Sequence, residues 1–312
     1  ITHKLREVMA VADRVTVMRQ GQSQGTFNVA ETNVEKIAEM MVGRTIDITN
    51  RKSVKAQLNK EKVLQVNRLT CTNDRGIEAV KDCTFHVNAG EILGVAGVGG
   101  NGQTELVECI SGLRKGIVQG EIYFKDINIT RDTSVKIRRL GLGYITGDRY
   151  NRGICKQSNV YKNLIMGAHK NDPSTKHGVM NPKQLEKYAE KLIDTYNIKT
   201  SSKFTSIMNL SGGNVQKCVL AREMNLARDL IIAEEPTRGV DVGAIEFIHN
   251  QIIEKAQAGY GILLVSTDLD EILKLSTRII VLFEGRITGE INVDSSQKGQ
   301  EKQIGMMMAG IS

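Results

Sequence analysis

The chain has no tryptophan, and aromatic residues make up only 4% of its 312 residues. No platform of rings for stacking bases is visible, so nucleic-acid binding by stacking finds no support. Apolar runs are short. None approaches the roughly 20 residues that cross a bilayer, so any membrane association would run through a partner. Residues 1–20 carry Asp13, Arg14 and Arg19 inside their apolar pattern and do not read as a secretory leader. Cysteines are few. Cys71, Cys83, Cys109, Cys155 and Cys218 form no CxxC pair and are odd in number. That argues against a disulfide framework or a zinc site and for a reducing cytoplasm.

What is present describes an ordinary globular protein, with 40% hydrophobic and 25% charged residues. The length suits one large α/β domain, or two small ones, around a substantial core. The net charge of +7 reads as a solvated basic surface, one that would also suit a polyanionic nucleotide or an anionic membrane face.

An internal repeat organises the chain. Thr2–Gln22 and Ser266–Arg286 align at a constant offset, with Leu5 and Leu269, Glu7 and Glu271, Arg14 and Arg278, Val17 and Val281, and Gly21 and Gly285 identical. Further on, Met40-Met41-Val42-Gly43 echoes Met307-Met308-Ala309-Gly310. Both copies keep the order strand end, helix, strand, glycine turn. Residues 1–45 therefore read as the end of one domain, 46–62 as a basic linker, and 63–312 as a complete second copy. The expectation is a fragment of a longer tandem protein.

Within 63–312, Val63 to Phe85 alternates around the turn Asn73-Asp74-Arg75-Gly76. Glu91–Ala96, Leu230–Ala233 and Ile262–Ser266 read as short buried strands of a parallel sheet. Asn181-Pro182 opens a helix, with Asn as cap and Pro in the first turn.

Three strings carry chemistry. Gly97-Val98-Gly99-Gly100-Asn101-Gly102-Gln103-Thr104 lies between a strand and a helix. Its glycines let backbone N–H groups form an anion nest at a helix N-terminus. Thr104 offers a hydroxyl to Mg²⁺, but Gln103 stands where such loops carry lysine. A glycine turn without a ligand would look alike locally; the other two strings favour nucleotide binding. Leu210-Ser211-Gly212-Gly213-Asn214-Val215-Gln216-Lys217 opens a helix, with Ser211 as its expected cap. Ile231-Ile232-Ala233-Glu234-Glu235-Pro236 ends a strand in two acids, followed by Thr237-Arg238-Gly239-Val240-Asp241.

Order and spacing of these strings resemble the nucleotide-binding domain of an ABC transporter. The resemblance implies an α/β P-loop (RecA-like) fold with an antiparallel β subdomain and a helical insertion subdomain at about 150–228. It implies ATP and Mg²⁺ as ligands. Gly97, Gly99, Gly100, Asn101, Gly102, Gln103 and Thr104 would hold the phosphates. Ser211, Gly212, Gly213, Asn214 and Gln216 would form the signature loop, which completes the site of the opposite domain in a head-to-tail dimer. Glu235 takes the catalytic-base position, and Asp241 belongs to the D-loop that follows it. Glu234 stands where the family has a Mg²⁺-binding aspartate, one methylene shorter. Thr267 occupies the place of the family's switch histidine, which the first copy keeps as His3. Gln103, Glu234 and Thr267 thus converge on one altered ATP site, while the signature loop is intact.

The likeness is nearest to importers with two ATP-binding domains fused in one polypeptide, serving simple sugars of the ribose type or nucleosides. Thr237–Ala244 is typical of both. Ile245-Glu246-Phe247-Ile248-His249 and Gly102–Leu106 look more like the nucleoside branch. Tyr144-Ile145-Thr146-Gly147-Asp148-Arg149 departs from the usual acidic pair at Gly147. The implied partners are the first ABC domain, integral membrane permease subunits and, indirectly, an extracytoplasmic solute-binding protein. The implied place is peripheral, on the cytoplasmic face of the membrane. A non-transport ABC protein and a purely regulatory half are the rival readings. The first would bring a long coiled coil or a basic inserted arm, and neither is visible.

Overall fold

Short apolar strands alternating with helices build the centre of the molecule. The computed structural model describes residues 5–19, 21–43, 61–168, 175–176, 179–293 and 299–311. The chain opens with helix α1 (Leu5–Val11), the hairpin β1 (Arg14–Arg19) and β2 (Gln22–Asn28), and helix α2 (Val34–Val42). An antiparallel sheet follows in β3 (Lys62–Thr72) and β4 (Glu78–Asn88), then the first central strand, β5 (Ile92–Ala96), and helix α3 (Gln103–Ile110). Strands β6 (Ile117–Phe124) and β7 (Ile127–Asn128) complete the antiparallel sheet in the order β4-β3-β6-β7. Helix α4 (Ser134–Leu140) leads to β8 (Leu142–Ile145). The segment after it holds α5 (Val160–Ile165), the pair β9 (Thr175–Lys176) and β10 (Val179–Met180), α6 (Pro182–Thr195) and α7 (Gly212–Leu226). Then come β11 (Leu230–Glu234), α8 (Val242–Gln257), β12 (Gly261–Ser266), α9 (Leu269–Leu275), β13 (Arg278–Phe283), β14 (Arg286–Asn292) and α10 (Gln300–Met308).

The central sheet has six strands in the order β14-β13-β5-β12-β11-β8, parallel except for β14. Both faces are covered, as a parallel sheet requires. Along β5, Ile92 and Ala96 join the helical core, whereas Leu93 and Val95 join the core shared with the antiparallel sheet. Strands β11 and β12 divide the same way: Ile231, Ala233, Ile262 and Leu264 face one side, and Leu230, Ile232, Leu263 and Val265 the other. Strand β5 lies between β12 and β13, so the connection after it leaves the sheet at a switch point, where open α/β sheets bind ligands. Arg278 staples the two sheets. It donates to Glu91 at 2.6 Å, to Glu290 at 3.0 Å and to the His86 carbonyl at 2.6 Å.

The repeat recurs element by element. Helix α1, strands β1 and β2 and helix α2 match α9, β13, β14 and α10 in order and spacing. The hairpins even break register at equivalent places, Val17/Met18 in the first and Val281/Leu282 in the second. The first unit buries Leu5, Val17, Ile37 and Ala38 in a core of its own, with Val34 and Val242 packed against it. Because Val242 opens α8, the unit sits on the first turn of that helix. The linker expected at 46–62 lies almost wholly outside the described residues; Lys62 already opens β3. Asn181 caps α6 by accepting from Gln184 N–H, with Pro182 in the first turn, as its sequence predicts.

Candidate functional site

The C-terminal ends of β5, β11 and β12 open onto a cleft of about 1410 Å³, lined among others by Gly99, Gly100, Gln103, Thr104, Glu234, Glu235, Asp268 and Thr267. The glycine loop is anchored from behind. Gly102 has φ 102°, and a Cβ there would strike the Ala79 carbonyl. Only glycine meets both demands without strain. Asn101 donates to the Val98 carbonyl at 2.9 Å and accepts the Glu284 amide at 2.8 Å, tying the loop to the β13–β14 turn. Gly99 and Gly100 face open space: a Cβ at either would meet nothing within 4 Å. That leaves room for phosphates over the loop.

Gln103 does not reach into this room. Its Nε2 donates to the Val98 carbonyl at 3.0 Å, and the side chain is buried against Gly97. The amide thus braces the loop that a lysine would extend from. Thr104, next along the helix, is exposed. Its hydroxyl donates to Glu234 Oε1 at 2.9 Å. The extra methylene of Glu234 does not break the link between the two candidate Mg²⁺ residues. Glu234 is 6% exposed, and its Oε2 accepts from the Tyr144 hydroxyl at 2.5 Å and from the Gly147 amide at 3.4 Å. Burial, reinforced by the Glu234 charge, pushes the Tyr144 phenol well above its ordinary value. It remains a donor at any working pH. The loop and the Thr104–Glu234 pair therefore fit Mg-nucleotide, while position 103 supplies no cation.

Glu235 leaves β11 in the left-handed region, φ 44°, a strained conformation for a non-glycine residue. The turn is held by the Glu235 amide on the Val265 carbonyl at 2.7 Å and by the Thr267 amide on Glu235 Oε1 at 2.7 Å. Burial raises the Glu235 carboxyl above the usual carboxylate range, and the Glu271 charge adds to this. The Thr267 hydrogen bonds and Arg238 oppose it. A raised carboxyl is a better proton acceptor near neutral pH. Thr267 thus lies beside the candidate base, and its amide points at the carboxylate. His3 lies outside the described residues.

None of the signature residues Ser211–Gln216 lines the cleft. Ser211 is exposed at the N-cap of α7. Contrary to expectation, its hydroxyl caps nothing; it accepts from Asn214 Nδ2 at 2.8 Å, which leaves the first amides of α7 without a side-chain acceptor. Gly213 is buried, and a Cβ there would lie 2.9 Å from Asp241 Oδ2 and 3.2 Å from the Ala244 Cβ. Gln216 donates to the Pro236 carbonyl at 2.8 Å, and Asp241 caps α8 through the Ala244 amide at 2.9 Å. Signature and D-loop therefore form one packed unit.

The roles of Tyr144 and Arg149 have no local signal in the sequence. Tyr144 lies within the buried strand β8, and nothing local betrays that its hydroxyl holds Glu234. Arg149 donates to the carbonyls of Arg238 and Gly239, the latter at 2.9 Å, and latches the loop after β8 to the D-loop. Gly147 lies against Glu235, with a Cβ position 3.1 Å from the Glu235 Cβ. An acid there would crowd the candidate base.

The chain is 42% identical over 300 residues to the guanosine import ATP-binding protein NupO of Bacillus subtilis, covering 96% of this chain and 58% of the relative. It is 38% identical over 313 residues to the glucose import ATP-binding protein TsgD13 of Haloferax volcanii, covering 99% and 56%. The chain thus spans less than two thirds of the length of these curated relatives. The dimeric structure of a bacterial ABC transporter cassette superposes with a TM-score of 0.65 at 22% identity, over 74% of this chain and 99% of the cassette. The family model described as ABC transporter matches residues 80–238, about half of the chain, from β4 through the strand-end acids to the D-loop, and the chain belongs to that family.

Proposed function

We propose that this chain is the second half of a tandem ATP-binding subunit that energises import of a nucleoside or simple sugar. One observation carries the tandem reading. A unit duplicating α9–α10, with its register break at the equivalent place, packs on the first turn of α8 beside the D-loop. Leu5, four residues into the repeat, lines the same cleft as Thr237–Val240. A D-loop meeting the helix behind another domain's switch position is the contact a head-to-tail pair of such domains would make.

In this reading Gly97–Thr104 binds ATP without a loop lysine. Thr104 and Glu234 would hold Mg²⁺, which neutralises phosphate charge. Glu235 would accept the proton of the attacking water, and Thr267 would hold the Glu235 carboxylate rather than supply a cation. Ser211–Gln216 would present a helix N-terminus to ATP bound by the first domain, where His3 belongs. Permease subunits and a solute-binding protein would complete the importer, with this chain peripheral at the cytoplasmic face. Among the described residues no helix is long and apolar enough to cross a membrane. NupO and TsgD13 are named for guanosine and glucose import, which supports both solute classes.

Uptake tests this reading. Cells lacking the gene should lose import of labelled guanosine, or of ribose or glucose, and regain it with the gene restored. Unchanged uptake of every nucleoside and simple sugar tried would sink it.

A further inference from the structure

A second polar cluster is buried in the wall of the cleft. Glu271, on the first turn of α9, is 4% exposed, and His249, on α8, is 6% exposed. One oxygen, Glu271 Oε1, accepts from the Thr237 hydroxyl at 2.7 Å and pairs with His249 Nε2 at 2.9 Å. One hydrogen is shared between Glu271 Oε1 and His249 Nε2. Glu271 Oε2 and His249 Nδ1 are buried without a hydrogen-bond partner. Such atoms are destabilising, and an apolar pair of similar volume would pack better. The cluster therefore calls for a role other than stability.

Its place in the fold supplies one. Strands β11 and β12 end side by side, and two rungs join the segments that leave them. The first is the Thr267 amide on Glu235; the second is the Thr237 hydroxyl on Glu271. Helix α9 links the rungs on one side, started by Asp268, which accepts from the amides of Asp270 and Glu271. The turn from Glu235 to Thr237 links them on the other. Glu235 sits in this closed ring in its strained conformation. His249 braces the ring from α8, the helix that Asp241 caps. Glu271 is also identical to Glu7 of the repeat.

We propose that Glu271, braced by His249, is a positioning residue that locks the Thr237–Asp241 loop to the helix behind Thr267 and so sets where Glu235 and Asp241 stand. This rests on reading the cleft as an ATP site, so the test is one that needs no nucleotide.

Backbone hydrogen exchange is measured on the 312-residue chain, at the amides of Arg238 and Val240, which bond the Glu235 and Thr237 carbonyls at 3.1 and 3.3 Å, and at Thr267. Thr237→Val removes the donor with little change of shape. It should speed exchange at all three amides about tenfold, with β5 and β12 unchanged. Glu271→Leu should do the same. Glu271→Gln keeps a carbonyl acceptor and should restore slow exchange. The proposal is overturned if Thr237→Val exchanges like the parent chain, or if Glu271→Gln exchanges as fast as Glu271→Leu. Faster exchange in a chain that binds no ATP would support the positioning role and reject the nucleotide reading alone.

Discussion

Replacing Gln103 by lysine separates two roles of one position. In the parent chain the Gln103 amide is committed to the Val98 carbonyl at 3.0 Å. It could meet a phosphate only by leaving that bond, so its net contribution to binding is near zero. Lysine would forgo the Val98 bond and reach over the open surface of Gly99 and Gly100. Losing a neutral hydrogen bond costs about 1 kcal/mol, and gaining a charged one contributes about 1.5–3 kcal/mol. The free Gln103→Lys chain should therefore be less stable by about 1 kcal/mol, a fall of roughly 2 °C in Tm for a domain of this size. Its affinity for Mg-ATP should rise about 10- to 100-fold. Calorimetric titration and thermal unfolding of both chains give the two numbers. Opposite signs are the signature. Equal affinities would mean that the loop does not face phosphate, and the assignment of the cleft to nucleotide would be wrong.

Other perturbations have equally definite outcomes. Ser211 is exposed, and Ser211→Ala should change unfolding stability by less than about 0.5 kcal/mol while lowering turnover of the joined domains about 10²-fold; normal turnover would remove the signature loop from the chemistry. Gly213→Ala should instead destabilise the fold by about 1–3 kcal/mol in urea, because the new methyl meets Asp241 and Ala244. Tyr144→Phe leaves Glu234 Oε2 with only the Gly147 amide at 3.4 Å, and should cost about 1–3 kcal/mol of stability; no loss would show the Tyr144 contact to be idle. Burial pushes the thiols of Cys83 and Cys218 up to about 11 and about 12, so little thiolate exists at pH 8. With Cys71 and Cys109 also buried, a thiol reagent at that pH should modify half-buried Cys155 first and the others only on unfolding.

The parts of the molecule legible in the sequence are those with local physical signals. Ile92–Ala96 and Gly261–Ser266 are continuous apolar runs because both faces of their sheet are covered. The glycine loop and the strand-end acids sit at strand ends because the switch point demands it. The repeat was legible down to the pairing of Leu5 with Leu269. What stayed hidden depends on contacts between distant segments. Tyr144 on Glu234, Arg149 on the D-loop carbonyls and Thr237 on Glu271 each join residues without shared periodicity. Ser211 has the composition of a helix cap, but its hydroxyl takes Asn214 instead, a choice between two local donors that residue type does not decide. Gly213 looks like a residue that admits a ligand; packing of α8 against α7 turns its open side toward Asp241. The inward fold of Gln103 follows from the Val98 carbonyl, which only the closed loop presents.

Steady-state ATP turnover, measured on this chain alone and on the chain joined to a first ATP-binding domain, decides whether the domains work as a tandem pair. Turnover near background is expected for the chain alone, because Gln103, Glu234 and Thr267 meet in its own cleft. Joined to a first domain with a loop lysine, it should show turnover that Ser211→Ala removes and Gln103→Ala only reduces. Full turnover by the chain alone, or turnover of the joined protein that ignores Ser211 and depends on Gln103, would contradict the tandem reading.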